Sequence, residues 1–308
     1  MKILFILNSF YATGNGLSAS ARRTVQALRD AGQEVRVVSG PNRDPAGPKP
    51  DYELKWFYFP IFQPIIDALG YSFASTDKKI IEEAMQWADV VHMEEPMVLE
   101  ARACRIARRL GKPVTGTYHL HPENVFCSLA LGWSKVANYL LINAWRDLVF
   151  NHCSHLQCPT ENVCERLERH YFKSKLHVFS NGVVKYKPEF KFCTRDELRA
   201  LAAGADLCVH CATIEVEGLS IMEAMQQGAV PVIAQGRHSG TSQFALSDRS
   251  VFQEKNEKEL AEKIDWWLSH PNERWEEGKR YAESMKKYHI DKSAQALIEM
   301  FKAAIANK

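Results

Sequence analysis

Glu215-Val216-Glu217-Gly218-Leu219-Ser220-Ile221-Met222-Glu223 is the stretch on which the reading of this chain turns. A β-run, Leu207 to Cys211, precedes it. An amphipathic helix, Leu219 to Gln227, ends at Gly228 before a second β-run, Val230 to Ala234. Glu215 therefore falls on the loop at the carboxyl end of a strand, and Glu223 in the early turns of the following helix. In open α/β sheets ligands sit in the crevice outside the carboxyl ends of the strands, and free amides at a helix start attract phosphate. One acid near a bound sugar, one near a ribose and a helix start facing a diphosphate between them would make a nucleotide-sugar site.

The flanking text extends the pattern. Ala205-Asp206-Leu207 stands before it, and Glu223-Ala224-Met225 and Gly228-Ala229-Val230-Pro231-Val232 complete it. With this context the two glutamates resemble the E-x7-E signature of retaining glycosyltransferases of family 4, which have the two-Rossmann-domain GT-B architecture. For an isolated pair the alternative is an ordinary helix carrying surface glutamates. The resemblance implies an α/β fold with two Rossmann-like domains. Residues 1–187 would form the acceptor-side domain and 188–290 a shortened nucleotide-sugar (donor) domain, with the helix at 291–308 packing back on the first.

Bulk properties agree with a soluble globular protein of about two domains. The 308 residues are 46% apolar and 25% charged, and a formal charge of +2 gives no reason to expect nucleic acid as a partner. Eight cysteines follow no framework spacing, and reduced thiols in a cytoplasmic protein are the expectation. Met1 to Asn8 is apolar but runs into a glycine loop, so it reads as a core strand rather than a signal peptide.

The first half alternates strand and helix, which argues for a parallel, doubly wound sheet. Lys2–Leu7, Glu34–Val38, Asp89–Met93, Val114–Tyr118, Leu156–Cys158 and Leu176–Phe179 read as strands. Ser18 reads as the cap of the first helix, and further helices fill 77–87, 97–110, 134–150 and 161–170. Asn181-Gly182-Val183 reads as the exit from this domain. Only 32 residues separate Gly182 from Glu215, too few for the first strands of a complete Rossmann half. In the family that interval carries a Gly-Arg and a lysine that neutralise the donor diphosphate, and no counterpart is found here. Lys185, Lys187 and Lys191 lie in an extended loop, and Arg237 or Lys185 is the substitute considered. The shortening also leaves an open edge at 207–211, which implies a homodimer, a strand exchange or a covering loop.

Several residues carry candidate chemistry. Gly14-Asn15-Gly16, between the first strand and its helix, serves either a ligand or turn geometry alone. The resemblance gives this loop a place near donor phosphate and acceptor. It also implies that Glu215 meets the donor sugar hydroxyls and Glu223 the ribose. The backbone of Gly218, Leu219 and Ser220 would meet the distal phosphate, and His119, with His121 as runner-up, the sugar from the other domain. Glu94, Glu95 and His121 are assigned to the acceptor side, with the loop around Pro122 to Cys127. No Asp-x-Asp is present and no third ligand joins His119 and His121, so no metal and no cofactor is expected. The cluster His152-Cys153-Ser154-His155 to Cys158 and the pair Cys208 and Cys211 read as buried thiols rather than metal sites. Trp133, Ala137, Leu140, Ala144 and Leu148 recur at helical spacing, either as a core face or as a face on a membrane surface; core is the preferred reading.

The function these readings imply is retaining, metal-independent transfer of a hexose from a nucleotide-diphosphate sugar, a UDP-sugar first, to a glycan or lipid-linked acceptor. The location would be the cytoplasm, with peripheral contact at the inner membrane face. The alternative is a catalytically silent relative, internally shortened, that binds a ligand or partner.

Overall fold

The computed structural model describes residues 1–12, 15–60, 63, 66, 71–127, 134–183 and 204–306. Two units divide the chain: one of Met1–Pro159, Val163–Phe179 and Ser293–Lys308, the other of Thr160–Asn162 and Ser180–Lys292. The division falls at Phe179/Ser180, earlier than the 187/188 boundary read from sequence. The reason is local. The Glu217 carboxylate accepts hydrogen bonds from the Ser180 hydroxyl and the Asn181 amide, and the Val183 amide donates to Tyr288 O at 2.9 Å. These ties hold residues 180–183 to the second unit.

In the first unit, β1 (Lys2–Ile6), β2 (Glu34–Ser39), β3 (Tyr52–Glu53), β6 (Val90–Met93), β7 (Val114–Thr117), β8 (His155–Cys158) and β9 (Lys175–Val178) form one sheet. Their order is β3-β2-β1-β6-β7-β8-β9, all parallel. β1, β6, β7 and β8 are almost wholly buried, as strands covered on both faces must be; β1 is apolar after Lys2, while β6 and β8 also enclose the polar His92, His155 and Gln157. β4 (Trp56–Phe57) and β5 (Phe73–Ala74) form a separate two-stranded antiparallel ribbon. The last helix, Ile290–Ala306, contributes Leu297, Met300 and Phe301 to the core, and the Phe301 ring meets Phe5 edge-on.

Two helices differ from expectation. The first, α1 (Gly16–Asp30), is capped by Asn15, whose side chain accepts from the Ser18 amide at 3.2 Å. Ser18 is buried inside the first turn, and its hydroxyl donates to Ser9 O instead of capping. The helix Lys135–Leu148 buries Asn138, Ile142 and Trp145, whereas Val136, Tyr139, Leu140 and Leu148 are exposed. The face through Leu140 and Leu148 is therefore not the core face. Trp145 and Ile142 fill the interior from a stripe turned well away from it.

The second unit has a parallel sheet of β10 (Leu207–His210), β12 (Val230–Gln235) and β14 (Val251–Gln253), in the order β10-β12-β14. Its core joins Ile221, Met222, Met225, Val232, Phe252 and Trp267. Among the described residues β10 has one strand neighbour, and its Val209 is 44% exposed. Cys211 lies beyond the strand and is exposed, so it is not a core thiol; Cys208 is half-buried. Among the described residues no helix is long and apolar enough to cross a membrane.

Candidate functional site

The second unit builds the stretch quoted first. After β10, the chain forms β11 (Ile214–Glu215), which pairs in parallel with β13 (His238–Ser239), and the Gly240 amide donates to Glu215 O at 2.9 Å. Gly218 then takes φ +88°, and a Cβ there would approach Thr241 Cγ2 and Oγ1 to 3.0 Å. Both the dihedral and the space call for glycine. The helix Leu219–Gln226 starts on Gly218 with no side-chain cap, and its first backbone bond is Met222 N to Gly218 O at 3.2 Å. The amides of Leu219, Ser220 and Ile221 thus have no acceptor within the helix. Ser220 is exposed, and Glu215, Leu219 and Glu223 are half-buried. A helix start whose first amides have no acceptor in the helix, with a half-buried carboxylate on either side in sequence, can take an anionic ligand flanked by hydroxyl groups.

Around it, burial lowers the pKa of His210 while the charge of Glu215 opposes the shift, and His210 Nε2 lies 3.5 Å from Thr241 Oγ1. Arg237 is exposed between β12 and β13. Lys185, Lys187 and Lys191 lie outside the described residues, as does Gly14. A cavity of about 440 Å³ in this unit is lined by Gln235, Ser239, Gly240, Ser242 and Asp248 among others, and by none of Glu215, Gly218, Leu219, Ser220 or Glu223.

In the first unit the strand order reverses between β1 and β6, which makes the carboxyl ends of those strands the place for a ligand. Asn8 follows β1, and Glu94 and Glu95 follow β6. The Asn8 amide donates to Glu95 Oε1 at 3.1 Å, and its side chain to Glu95 Oε2 at 3.3 Å and toward Glu100 at 3.5 Å. Burial raises the Glu95 carboxyl to about 7; burial, then the charge of Glu95, raises Glu100. Glu94 behaves oppositely. Burial would raise it, but His119, at 2.8 Å from Oε2, and His92, at 3.3 Å from Oε1, lower it to about 2. Glu94 and Glu95 are each 2% exposed, so neither carboxylate is open to solvent.

His119 and His121 part company. His119 turns to Glu94. His121 is fully buried, accepts from Arg166 Nη1 at 3.3 Å, and packs edge-on against Tyr118; Arg166 also donates to Glu123 at 2.7 Å. Asn15 caps α1, and Gly16 is exposed, with open space where a Cβ would stand. Among the described residues no group of three or more His, Cys, Asp or Glu is placed to hold a metal ion. His155 stacks on His177, their ring nitrogens 2.7 Å apart.

Sequence reasoning missed Glu217, Asn8, Glu100 and His92. A carboxylate in an apolar run, or a polar residue directly after a core strand, was the available signal, but partners 36 or 87 residues away do not show in the local text.

The family profile Glycosyltransferase Family 4 matches residues 14–187, more than half of the chain. The chain belongs to glycosyltransferase family 4. The profile Glycosyl transferases group 1 matches residues 189–288. Among solved structures, sucrose-phosphate synthase from Thermosynechococcus elongatus is similar over 100% of both chains, with a TM-score of 0.67 at 10% identity. HepE from Anabaena in complex with UDP matches with a TM-score of 0.68 at 12% identity, over 98% of this chain and 100% of that one. TarM from S. aureus, with UDP bound, gives 0.65 at 10% over 99% of each. No curated protein sequence matches. At these identities the likeness carries the fold: this family 4 member has the GT-B architecture of two Rossmann-like domains, with a shortened second domain. Glycosyl transfer is the chemistry of the family.

Proposed function

We propose that the protein is a retaining, metal-independent hexosyltransferase that uses a nucleotide-diphosphate sugar, first of all a UDP-sugar, and a glycan or lipid-linked acceptor. One observation carries the reading. The uncapped start of the helix Leu219–Gln226, on a glycine held at φ +88°, stands between Glu215 and Glu223. In this reading the amides of Leu219 and Ser220 hold the distal phosphate, Glu223 holds the ribose hydroxyls and Glu215 the sugar hydroxyls. HepE bound to UDP-glucose, a structure of the same fold, supports UDP-glucose as the first donor to try. His119 is the group of the first unit assigned to a substrate hydroxyl.

The chemistry is a same-face displacement at the anomeric carbon. The bond from that carbon to the phosphate oxygen breaks, the bond to the acceptor oxygen forms, and the departing phosphate takes the acceptor proton. No side chain need act as base, and the protein's share is positioning and stabilisation of charge on the leaving group.

The competing reading, a silent relative that binds a ligand or partner, is favoured by one observation: among the described residues the main sheet of the second unit has three strands. Incubation with UDP-glucose, UDP-N-acetylglucosamine and ADP-glucose, with released nucleoside diphosphate measured, separates the two. Release that Glu215→Gln lowers by on the order of 100-fold supports transfer. No release from any donor by folded protein, with UDP still bound, favours the silent relative.

A further inference from the structure

Glu94 is placed on the acceptor side by the sequence pattern, yet it is 2% exposed and its carboxylate is taken up by two imidazoles. Oε2 stands 2.8 Å from His119 Nε2, and Oε1 stands 3.3 Å from His92 Nε2. The proton positions follow from the polar chain behind them. Gln157 Nε2 donates to Phe179 O at 3.1 Å, so its Oε1 faces Thr117 and accepts the Thr117 hydroxyl at 2.8 Å. With its hydrogen spent, Thr117 Oγ1 can only accept from His92 Nε2, 3.0 Å away. His92 therefore carries a proton on Nε2 and gives it to Thr117, with Glu94 Oε1 a second, longer contact of the same nitrogen at 3.3 Å. The carboxyl of Glu94 thus lies beside two imidazole Nε2 atoms, the nearer being His119 at 2.8 Å, and their proximity outweighs burial and holds it ionised.

We propose that Glu94 is a positioning residue: it accepts the Nε2–H of His119 without removing the proton and thereby leaves Nδ1 as the ring atom presented to substrate. Among the described residues Glu94 is the one ion-pairing partner of His119. The anchor is braced because His92 and the chain through Thr117 and Gln157 run across β6, β7 and β8 to the residue after β9. A carboxylate that orients an imidazole from behind fixes its tautomer and direction. Glu94 then acts on the reaction through His119 and meets no acceptor itself. This inference rests on the proposed role of His119 at a substrate hydroxyl, and its test is independent of turnover.

The ring nitrogens of His119, resolved by long-range proton–nitrogen correlation spectra of the wild-type protein, report the tautomer directly. The expected result is a protonated Nε2 and a lone pair on Nδ1 in the neutral ring. In Glu94→Gln the amide can offer either oxygen or nitrogen, so the signals shift toward a mixture of tautomers. With UDP-glucose as donor and released UDP as the readout, Glu94→Gln lowers kcat by on the order of 10- to 100-fold and leaves KM within about twofold. A proton on Nδ1 in the neutral wild-type ring overturns the proposal, as does an unchanged tautomer in Glu94→Gln. A raised KM at constant kcat marks a binding role and overturns it too. Should the wild type release no UDP, the proposed donor fails while the tautomer still decides the role of Glu94.

Discussion

Replacing Glu95 by Gln is expected to remove a loss of stability that the wild type undergoes as pH rises through neutrality. Glu95 is fully enclosed, held by the Asn8 amide at 3.1 Å and the Asn8 side chain at 3.3 Å, with the Glu100 carboxyl sharing the same Asn8 nitrogen at 3.5 Å. Burial raises it from the ordinary 4.5 to about 7. Between those values the folded chain holds a proton that the unfolded chain has released. Stability is therefore fully present below pH 4.5 and falls as pH rises through 7. The loss amounts to on the order of 3 kcal/mol once the folded carboxyl has ionised. Gln does not titrate; its one oxygen accepts from one of the two Asn8 donors and its nitrogen faces the other, a loss that is the same at every pH. Urea denaturation of both proteins from about pH 5 to about pH 8 should show the wild type losing more stability with rising pH than the variant, whatever the fixed offset between them. Equal slopes, or a variant that loses more than the wild type toward pH 8, would refute the claim that burial dominates this site.

Two further outcomes follow from the second unit. Glu223→Ala should weaken UDP binding by roughly 10-fold in calorimetry, the loss of a charge-assisted hydrogen bond to ribose; an unchanged Kd removes the ribose assignment. Gly278→Ala should lower stability by about 1 to 3 kcal/mol or more. The added methyl would run into the Gly228 carbonyl, where the helix Pro271–Met285 crosses the left-handed turn that ends Leu219–Gln226. Thermal melting indistinguishable from wild type would mean that this crossing gives way easily.

What the sequence revealed is what local chemistry controls. Strands such as Leu207–His210 and Val230–Gln235 are short apolar runs between turn residues, and Gly218 and Gly228 mark the start and end of the helix between them. The N-cap of α1 was misread because Asn15 and Ser18 can both cap, and the contest is settled by Ser9 O, which takes the serine hydroxyl. The helix Lys135–Leu148 was turned the wrong way because apolar residues occur all round it, so periodicity leaves two candidate faces. Trp145 and Ile142 win through tertiary packing, which no window of sequence contains. Glu217 was passed over beside Glu215 for a similar reason: its partners, Ser180 and Asn181, come from the segment read as the exit of the first domain.

The two histidines after β7 show why a motif needs its surroundings before it acquires a role. On an extended strand, residues two apart would point to one face and form a pair. The chain does not stay extended: Pro122–Cys127 begins a helical turn at once, and the His121 amide bonds to the Asn124 side chain at 3.2 Å. His121 is thereby folded beneath Arg166, which donates to its Nδ1, and it is enclosed with Tyr118. With that lone pair occupied by a guanidinium proton, the ring has no free basic nitrogen to give to a substrate or a metal. In the proposed arrangement His119 keeps one, because its neighbour is an anion that accepts the N–H on its other side. Under the role proposed for His119, the chemistry of the Thr117-to-His121 segment falls to its first histidine, with a carboxylate from the adjacent strand end 2.8 Å from one of its ring nitrogens.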